Sequence, residues 1–431
     1  MTATVSGADL VGRGDLVRVE SADDRRARLS TGSLIVATGL LLAGLSFNSG
    51  EVASFALSNA FDEVVLPTVA VPALPVVAIS AVLCLISGGG LLSGRLSRGW
   101  RRVAGTTAAI AFVAGFLSWA AATSTLPFPV SNQLSGTVAT ATPLILGALA
   151  GVLGERAGVV NVAIEGQFLN AAFAAAVVGS ITQSIPAALI AAVLTSVATA
   201  ALLALFAIKY LVDQVVLGVV INLLASGLTG FIFDQLIQPN SRTLNDAPTM
   251  QTIPLGPLAD IPFLGPILFN QTILVYLAVI SVGLVWFLLY KTRWGLRVRS
   301  VGEHPRAADT VGISVLAVRW QAVLVGGIFA GLGGAFFTVG STGSFTKDMT
   351  VGNGFIALAA LIMGRWHPIW AALMALFFGF VTQMASQLQT MSTPVPSQLL
   401  LMLPYIATII AVAGLIGKSR APAADGKPYV K

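Results

Sequence analysis

Histidine and cysteine are nearly missing, at two and one in 431 residues. Charge is scarce too, with 10% Asp, Glu, Lys and Arg against about 25% in ordinary soluble domains. The single Cys84 lies in an apolar run and can form no intrachain disulfide. His304 and His367 fall in loops, and the chain has no HExxH, no cysteine cluster and no paired carboxylates inside an apolar run. Hydrolytic and metal-dependent chemistry therefore has no residues to work with, and the catalytic and metal-ligand sets are left empty. The phosphate-cradling pattern GxxxxGK followed by Ser or Thr is absent as well.

What remains is 56% hydrophobic, with a mean hydropathy of +0.87. Stretches such as 185–208 and 271–290 are continuously apolar. Each is long enough for the roughly 20 residues a helix needs to cross a bilayer, and a barrel would instead alternate over short segments. The expectation is an all-α, polytopic transmembrane helical bundle of about 10–12 membrane segments, including short or broken helices. The apolar segments are 32–47, 69–92, 103–123, 133–154, 159–180, 185–208, 212–233, 271–290, 318–339, 354–363, 368–385 and 398–416. The piece at 354–363 is too short to cross alone.

Basic residues set the expected orientation. The net charge of +6 is scattered over short loops, which fits the positive-inside rule better than nucleic-acid binding. Residues 1–30 are polar, with no cleavage-site pattern behind the first apolar run, and read as a cytoplasmic N-terminal tail rather than a signal peptide. Alternating from there, every Lys and Arg except Arg242 and Lys347 falls inside, and residues 418–431 form a cytoplasmic C-terminal tail. Residues 31–123 have little polar content within their apolar runs and are set off by STLPFPVSN; they read as accessory N-terminal transmembrane helices. The external loop 234–270 is proline-rich and large enough to meet an extracytoplasmic partner.

Polar residues inside apolar surroundings are the candidates for function. In GVLGERAGVVNVAIEGQFLNAAF (151–173), Asn161 and Glu165 stand four apart on one helix face. An intramembrane carboxylate costs about 2.5–3.5 kcal/mol on insertion scales and normally faces a bundle interior or a water-filled path. Glu165 either meets a solute or caps amides exposed by a helix break near Gly158 or Gly166. Glu155 and Arg156, at a span's cytoplasmic end, read as a surface ion pair or a loop anchor. Asn222 either ties two helices together or contacts a solute, and Gly327 and Gly331 have the spacing of a helix-packing stripe. The stretch 345–380 echoes 151–173 in combining glycines, an Asn and an interrupted apolar helix. Paired broken helices of this kind point to a midplane substrate site. In 300–315, Pro305 opens a short helix continued by Arg306 to Val311 and ended by Gly312; it is suited to docking, or is a solvated connector.

Three blocks together resemble the permease subunits of ABC importers for nucleosides and simple sugars, related to ribose and branched-chain amino-acid permeases. They are ATPLILGALAGVLGERAGVVNVAIEGQF (141–168), TRWGLRVRSVGEHPRAADTVGISV (292–315) and GNGFIALAALIMGRWHPIWAALMALFFGF (352–380). The resemblance implies a permease core over 133–417 with a cytoplasmic coupling loop at 291–319. Gly302, Glu303, Pro305, Arg306, Ala307, Ala308 and Gly312 would engage an ABC ATPase subunit. No cofactor would bind directly, since ATP would be used by that partner. A second homologous permease and an extracytoplasmic substrate-binding lipoprotein complete the expected assembly, in the inner or plasma membrane. The solute cavity is expected among Asn161, Glu165, Gln167, Phe168, Asn222, Asn353 and Phe355, with Phe168 or Phe355 offering a stacking face. Nucleosides are the expected solute; ribose or galactose, or an ion-coupled secondary transporter, are the alternatives. Ala163, Gln167 and Asn170 depart from the pattern where relatives vary, and residues 31–123 add to the shorter family core.

Overall fold

The computed structural model describes residues 22–58, 65–391, 393, 395–410 and 420–430. Residues 1–21 of the expected N-terminal tail, 411–416 of the expected last span, and 417–419 and 431 lie outside the described residues. Ten described helices are long and apolar enough to cross a membrane, and two shorter apolar ones cover Asn353–Met363 and Ser397–Ile409. The protein is thus a polytopic helical bundle. The described residues form two compact units, one within 1–48 and 77–116, the other within 49–76 and 117–431.

In the first unit, α1 (Ala22–Ser46) packs with most of α2 (Ala73–Ser93) and α3 (Arg98–Ala122) around Leu42, Ala81, Cys84, Ala108 and Ala111. At Gly88 an added Cβ would lie 2.7 Å from Val36 Cγ2, so a small residue lets these helices approach closely. Arg28 closes the end of α2: its Nη1 donates to the carbonyls of Leu91 at 2.9 Å and Leu92 at 2.8 Å, which have no acceptor role left within their own helix.

The second unit contains short strands that the apolar pattern does not announce. β1 (Val52–Ala56) pairs antiparallel with β2 (Val69–Pro72), matching Phe55 to Val69, and parallel with β3 (Phe128–Pro129), matching Phe55 to Phe128. The apolar run at 69–92 therefore starts as a strand, where β-branched Val69 and Val71 favour extension, and turns helical after Pro72. Residues 49–76 and 117–123 belong to this unit rather than to the one containing most of 31–123.

The helices that follow are α4 (Val130–Arg156), α5 (Ile164–Thr182), α6 (Ile185–Ala204), α7 (Gln214–Ile232) and the single-turn α8 (Ser241–Leu244). In the loop 234–270 and just after it, β4 (Thr252–Pro254) pairs antiparallel with β5 (Asn270–Thr272). Next come α9 (Ile273–Lys291), α10 (Arg293–Glu303), α11 (Pro305–Thr310), α12 (Val315–Phe337), α13 (Asn353–Met363), α14 (Pro368–Thr390) and α15 (Ser397–Ile410). The spine is α4, buried without interruption from Ala141 to Glu155, as expected of a helix enclosed by others. α12, α13, α14 and α9 pack against it. Gly327 and Gly331 of α12 meet α6, where added Cβ atoms would lie 2.8 Å from Ala200 Cβ and 2.6 Å from Val193 Cα. The small-residue stripe is a packing surface.

Candidate translocation and coupling site

The apolar segment expected to begin at 159 becomes helical only at Ile164. Gly158 at φ 85° and the β-branched Val159, Val160 and Val162 hold 157–163 out of the helix. This irregular stretch is tethered from α7: Gln214 Oε1 accepts from the Val160 amide at 2.7 Å, and Asp213 Oδ1 accepts from the Val215 and Val216 amides as an N-cap. The start of α5 lies well inside the bundle. Cβ atoms added at Gly147 and Gly151 of α4 would touch Phe168 and Ile164, so α5 begins about 8–13 Å before α4 ends, at 1.5 Å per residue.

Two helix N-termini meet there. Glu165, in the first turn of α5, reaches the start of α13: Oε1 accepts from the Gly352 amide at 2.8 Å and Thr350 Oγ1 at 2.5 Å, and Oε2 accepts from the Gly354 amide at 2.6 Å. Carboxylates stabilise helix N-termini by satisfying free amides and by opposing the positive end of the helix dipole. Gly352 has φ 76°, and a Cβ at Gly354 would fall 2.4 Å from the Glu165 nitrogen. Only glycine permits this contact. The loop before α13 is fixed by further bonds: Ser226 Oγ donates to Asp348 Oδ1 at 2.6 Å, Tyr405 Oη donates to the Val351 carbonyl at 2.9 Å, and Lys347 pairs with Asp234 at 2.5 Å.

The other expected solute contacts are distributed unevenly. Asn161 Nδ2 donates to Gln167 Oε1 at 3.3 Å, and both residues are buried; Asn161 Oδ1 and Gln167 Nε2 have no hydrogen-bond partner. Asn222 bridges helices, with Oδ1 accepting from the Gly166 amide at 2.8 Å and Nδ2 donating to the Val162 carbonyl at 3.0 Å. Asn353 Nδ2 bonds the Thr350 carbonyl at 2.8 Å. Phe168 is fully buried, with its ring against Phe337 and the notches at Gly147 and Gly333, so it presents no free stacking face in this conformation. Phe355 is 46% exposed and does present one.

Glu155 is 3% exposed, which rules out a surface ion pair and leaves the loop anchor. Its Oε2 accepts from the Trp366 indole N–H. Arg156 completes the grip: Nε donates to the Trp366 carbonyl at 2.8 Å and Nη2 lies 3.4 Å from the Arg365 carbonyl and from Tyr290 Oη. Arg365 and Trp366 both have positive φ, 55° and 54°, so these bonds stabilise a corner that ordinary side chains disfavour. Burial, then the nearby Arg156 charge, holds His367 below the usual imidazole range. The loop 291–319 joins here too, because a Cβ at Gly302 would lie 2.1 Å from the Arg156 carbonyl oxygen. Beyond it, Pro305 starts α11, Ala308 is buried, and Glu303, Arg306 and Ala307 are exposed; Gly312, at φ 83°, ends the turn. All three sequence blocks thus meet at the end of α4. Trp366 and the contact face of Gly302 were not singled out from the sequence, since their partners are remote in the chain.

Within this polytopic bundle the N-termini of the span α5 and the short helix α13 meet, and the loop 291–319 is wedged against the end of α4. The chain belongs to the family described as branched-chain amino acid transport system / permease component, whose model matches residues 133–412. Its relatives include the guanosine ABC transporter permease protein NupQ of Bacillus subtilis, 42% identical over 70% of this chain and 97% of its own. The nucleoside ABC transporter permease protein NupC of Lactococcus lactis is 40% identical over 72% of this chain and 98% of its own. A second guanosine permease of that Bacillus strain, NupP, is 24% identical over 67% of this chain and 85% of its own. No solved structure matches the chain. These relatives are components of ABC transporters, and this protein is a multi-pass membrane protein of their kind.

Proposed function

We propose that the protein is the membrane-spanning permease subunit of an ATP-driven nucleoside importer, with hydrolysis carried out by a separate ABC ATPase subunit. The likeness to two nucleoside permeases across nearly their whole length carries the choice of solute. α11 is the coupling helix, on the cytoplasmic side with both termini. Its movement reaches α4 through the Gly302–Arg156 contact and α13 through Glu155 and Trp366. α13 is 11 residues long, a rod of about 16 Å whose far end is held by Glu165. Rocking α13 shifts its junction with the start of α5 between outward and inward access.

A second permease completes the path, as NupP and NupQ of one organism suggest for guanosine. Phe355 and the exposed apolar residues Val215, Val216 and Val219 of α7 supply the facing surface. An extracytoplasmic lipoprotein delivers the solute. Opening the junction would free the unpaired amide atoms of Asn161 and Gln167 for ribose hydroxyls or base edges, with stacking at Phe355. Competition uptake tests this reading. Unlabelled nucleosides should displace labelled guanosine, whereas displacement by ribose or galactose alone would assign the protein to sugars.

A further inference from the structure

The C-terminal residues 420–430 do not stand off in solvent. The Ala424 amide donates to the Gly302 carbonyl at 2.9 Å, and the Ala423 amide lies 3.3 Å from Glu303 Oε2. Arg319 of α12, 1% exposed, donates from Nη1 to the Lys427 carbonyl at 3.0 Å and from Nε to the Ala157 carbonyl at 3.2 Å. Tyr429 is buried in the principal core. Gly158 makes room for the segment, since a Cβ there would lie 2.9 Å from the Ala424 carbonyl oxygen. The segment and α11 enclose a cleft of about 610 Å³ bordered by Pro305, Arg306, Lys427 and Val430.

Beneath this segment the Asp425 carboxyl faces that of Glu155 within hydrogen-bonding range. Glu155 Oε1 and Asp425 Oδ1 are both buried and neither receives a proton donor from the protein. Two carboxylates cannot both stay ionised at such a contact, and one proton between them satisfies both oxygens. The surrounding groups fit that state. From α4, Glu155 also accepts from Trp366; from α12, Arg319 supplies one positive charge against the one that remains; on the segment itself the Gly426 amide bonds Asp425, and Tyr429 faces Asp309 and Arg306 of α11.

We infer that residues 420–430 are a strap closed over the coupling corner by a proton shared between Asp425 and Glu155. The strap ties Gly302 and Glu303 to α4 and α12, so that the corner moves with the membrane core; this purpose rests on reading α11 as the coupling helix. Burial pushes the Asp425 carboxyl up to about 7 from 3.8. A carboxyl raised in the seated strap binds its proton more tightly there than when released. Seating is therefore firmest below the ordinary carboxylate range, weakens as pH rises, and has lost this contribution once pH passes about 7.

Hydrogen exchange of the full chain in lipid nanodiscs, without any ATPase, tests the strap independently of coupling. Corrected for intrinsic exchange, protection of the Ala424 amide should fall about tenfold per pH unit between about pH 5 and about pH 7, one proton being lost on release. Asp425→Asn presents an amide donor to Glu155 and should keep protection with no such slope. An unprotected Ala424 amide in the native chain at acid pH, a flat native profile, or a native-like slope in Asp425→Asn would each overturn the inference.

Discussion

The Trp366 indole donates to the buried Glu155 carboxylate across 211 residues of chain, joining the end of α4 to the corner between α13 and α14. Trp366→Phe keeps one aromatic ring but removes the N–H donor with the rest of the indole. Leaving a buried acceptor without that partner costs about 1–3 kcal/mol, before the lost packing of this buried side chain is added. Thermal unfolding in nanodiscs should register this loss, together with slower uptake. An unchanged unfolding curve would show that the bond contributes nothing.

Glu165 has a second, separable prediction. Glu165→Gln retains one acceptor oxygen but loses the charge and the bidentate grip on α13. Stability should fall by about 0.5–2 kcal/mol, the range for a lost helix cap, and the uptake rate should drop while the order of preferred solutes stays the same. A changed solute order would instead place the carboxylate against the solute.

At the coupling corner, Gly302→Ala sets a methyl group against the Arg156 carbonyl, 2.1 Å from an unrelaxed Cβ. The corner must shift, so ATP hydrolysis by the assembled transporter should continue with little uptake. Full uptake per ATP would show that this contact transmits no motion.

Ala307 offers a cleaner probe of docking than its neighbour, because Ala307 is exposed and Ala308 is 3% exposed. Ala307→Asp should lower solute-stimulated ATPase activity at least several-fold with normal membrane insertion. Wild-type stimulation would make α11 a connector.

The spans were legible because apolar runs of bilayer length have few other fates, and the short helix at 305–310 was legible from Pro305 and Gly312. The paired strands β1 to β3 were hidden: two to five residues inside or beside an apolar run carry no period of their own. Glu165 stood out by its charge, but its partners Gly352 and Gly354 lie 187 and 189 residues away, so neither spacing nor composition could choose between solute and cap. Asn222 presented the same ambiguity, and its bonds to Val162 and Gly166 give it a tie between helices. The packing of the C-terminal segment carried no sequence signal: a short polar stretch has no apolar period, and Ala424 and Tyr429 are buried against residues that only the fold brings near.

ATP dependence is the most direct test of the proposed importer. Proteoliposomes holding this permease, its partner permease, the ATPase and the binding protein should accumulate labelled guanosine only with ATP on the ATPase side, and uptake should fall to background when the ATPase phosphate-loop lysine is replaced. Uptake that persists without ATP on an imposed proton or sodium gradient would contradict the account.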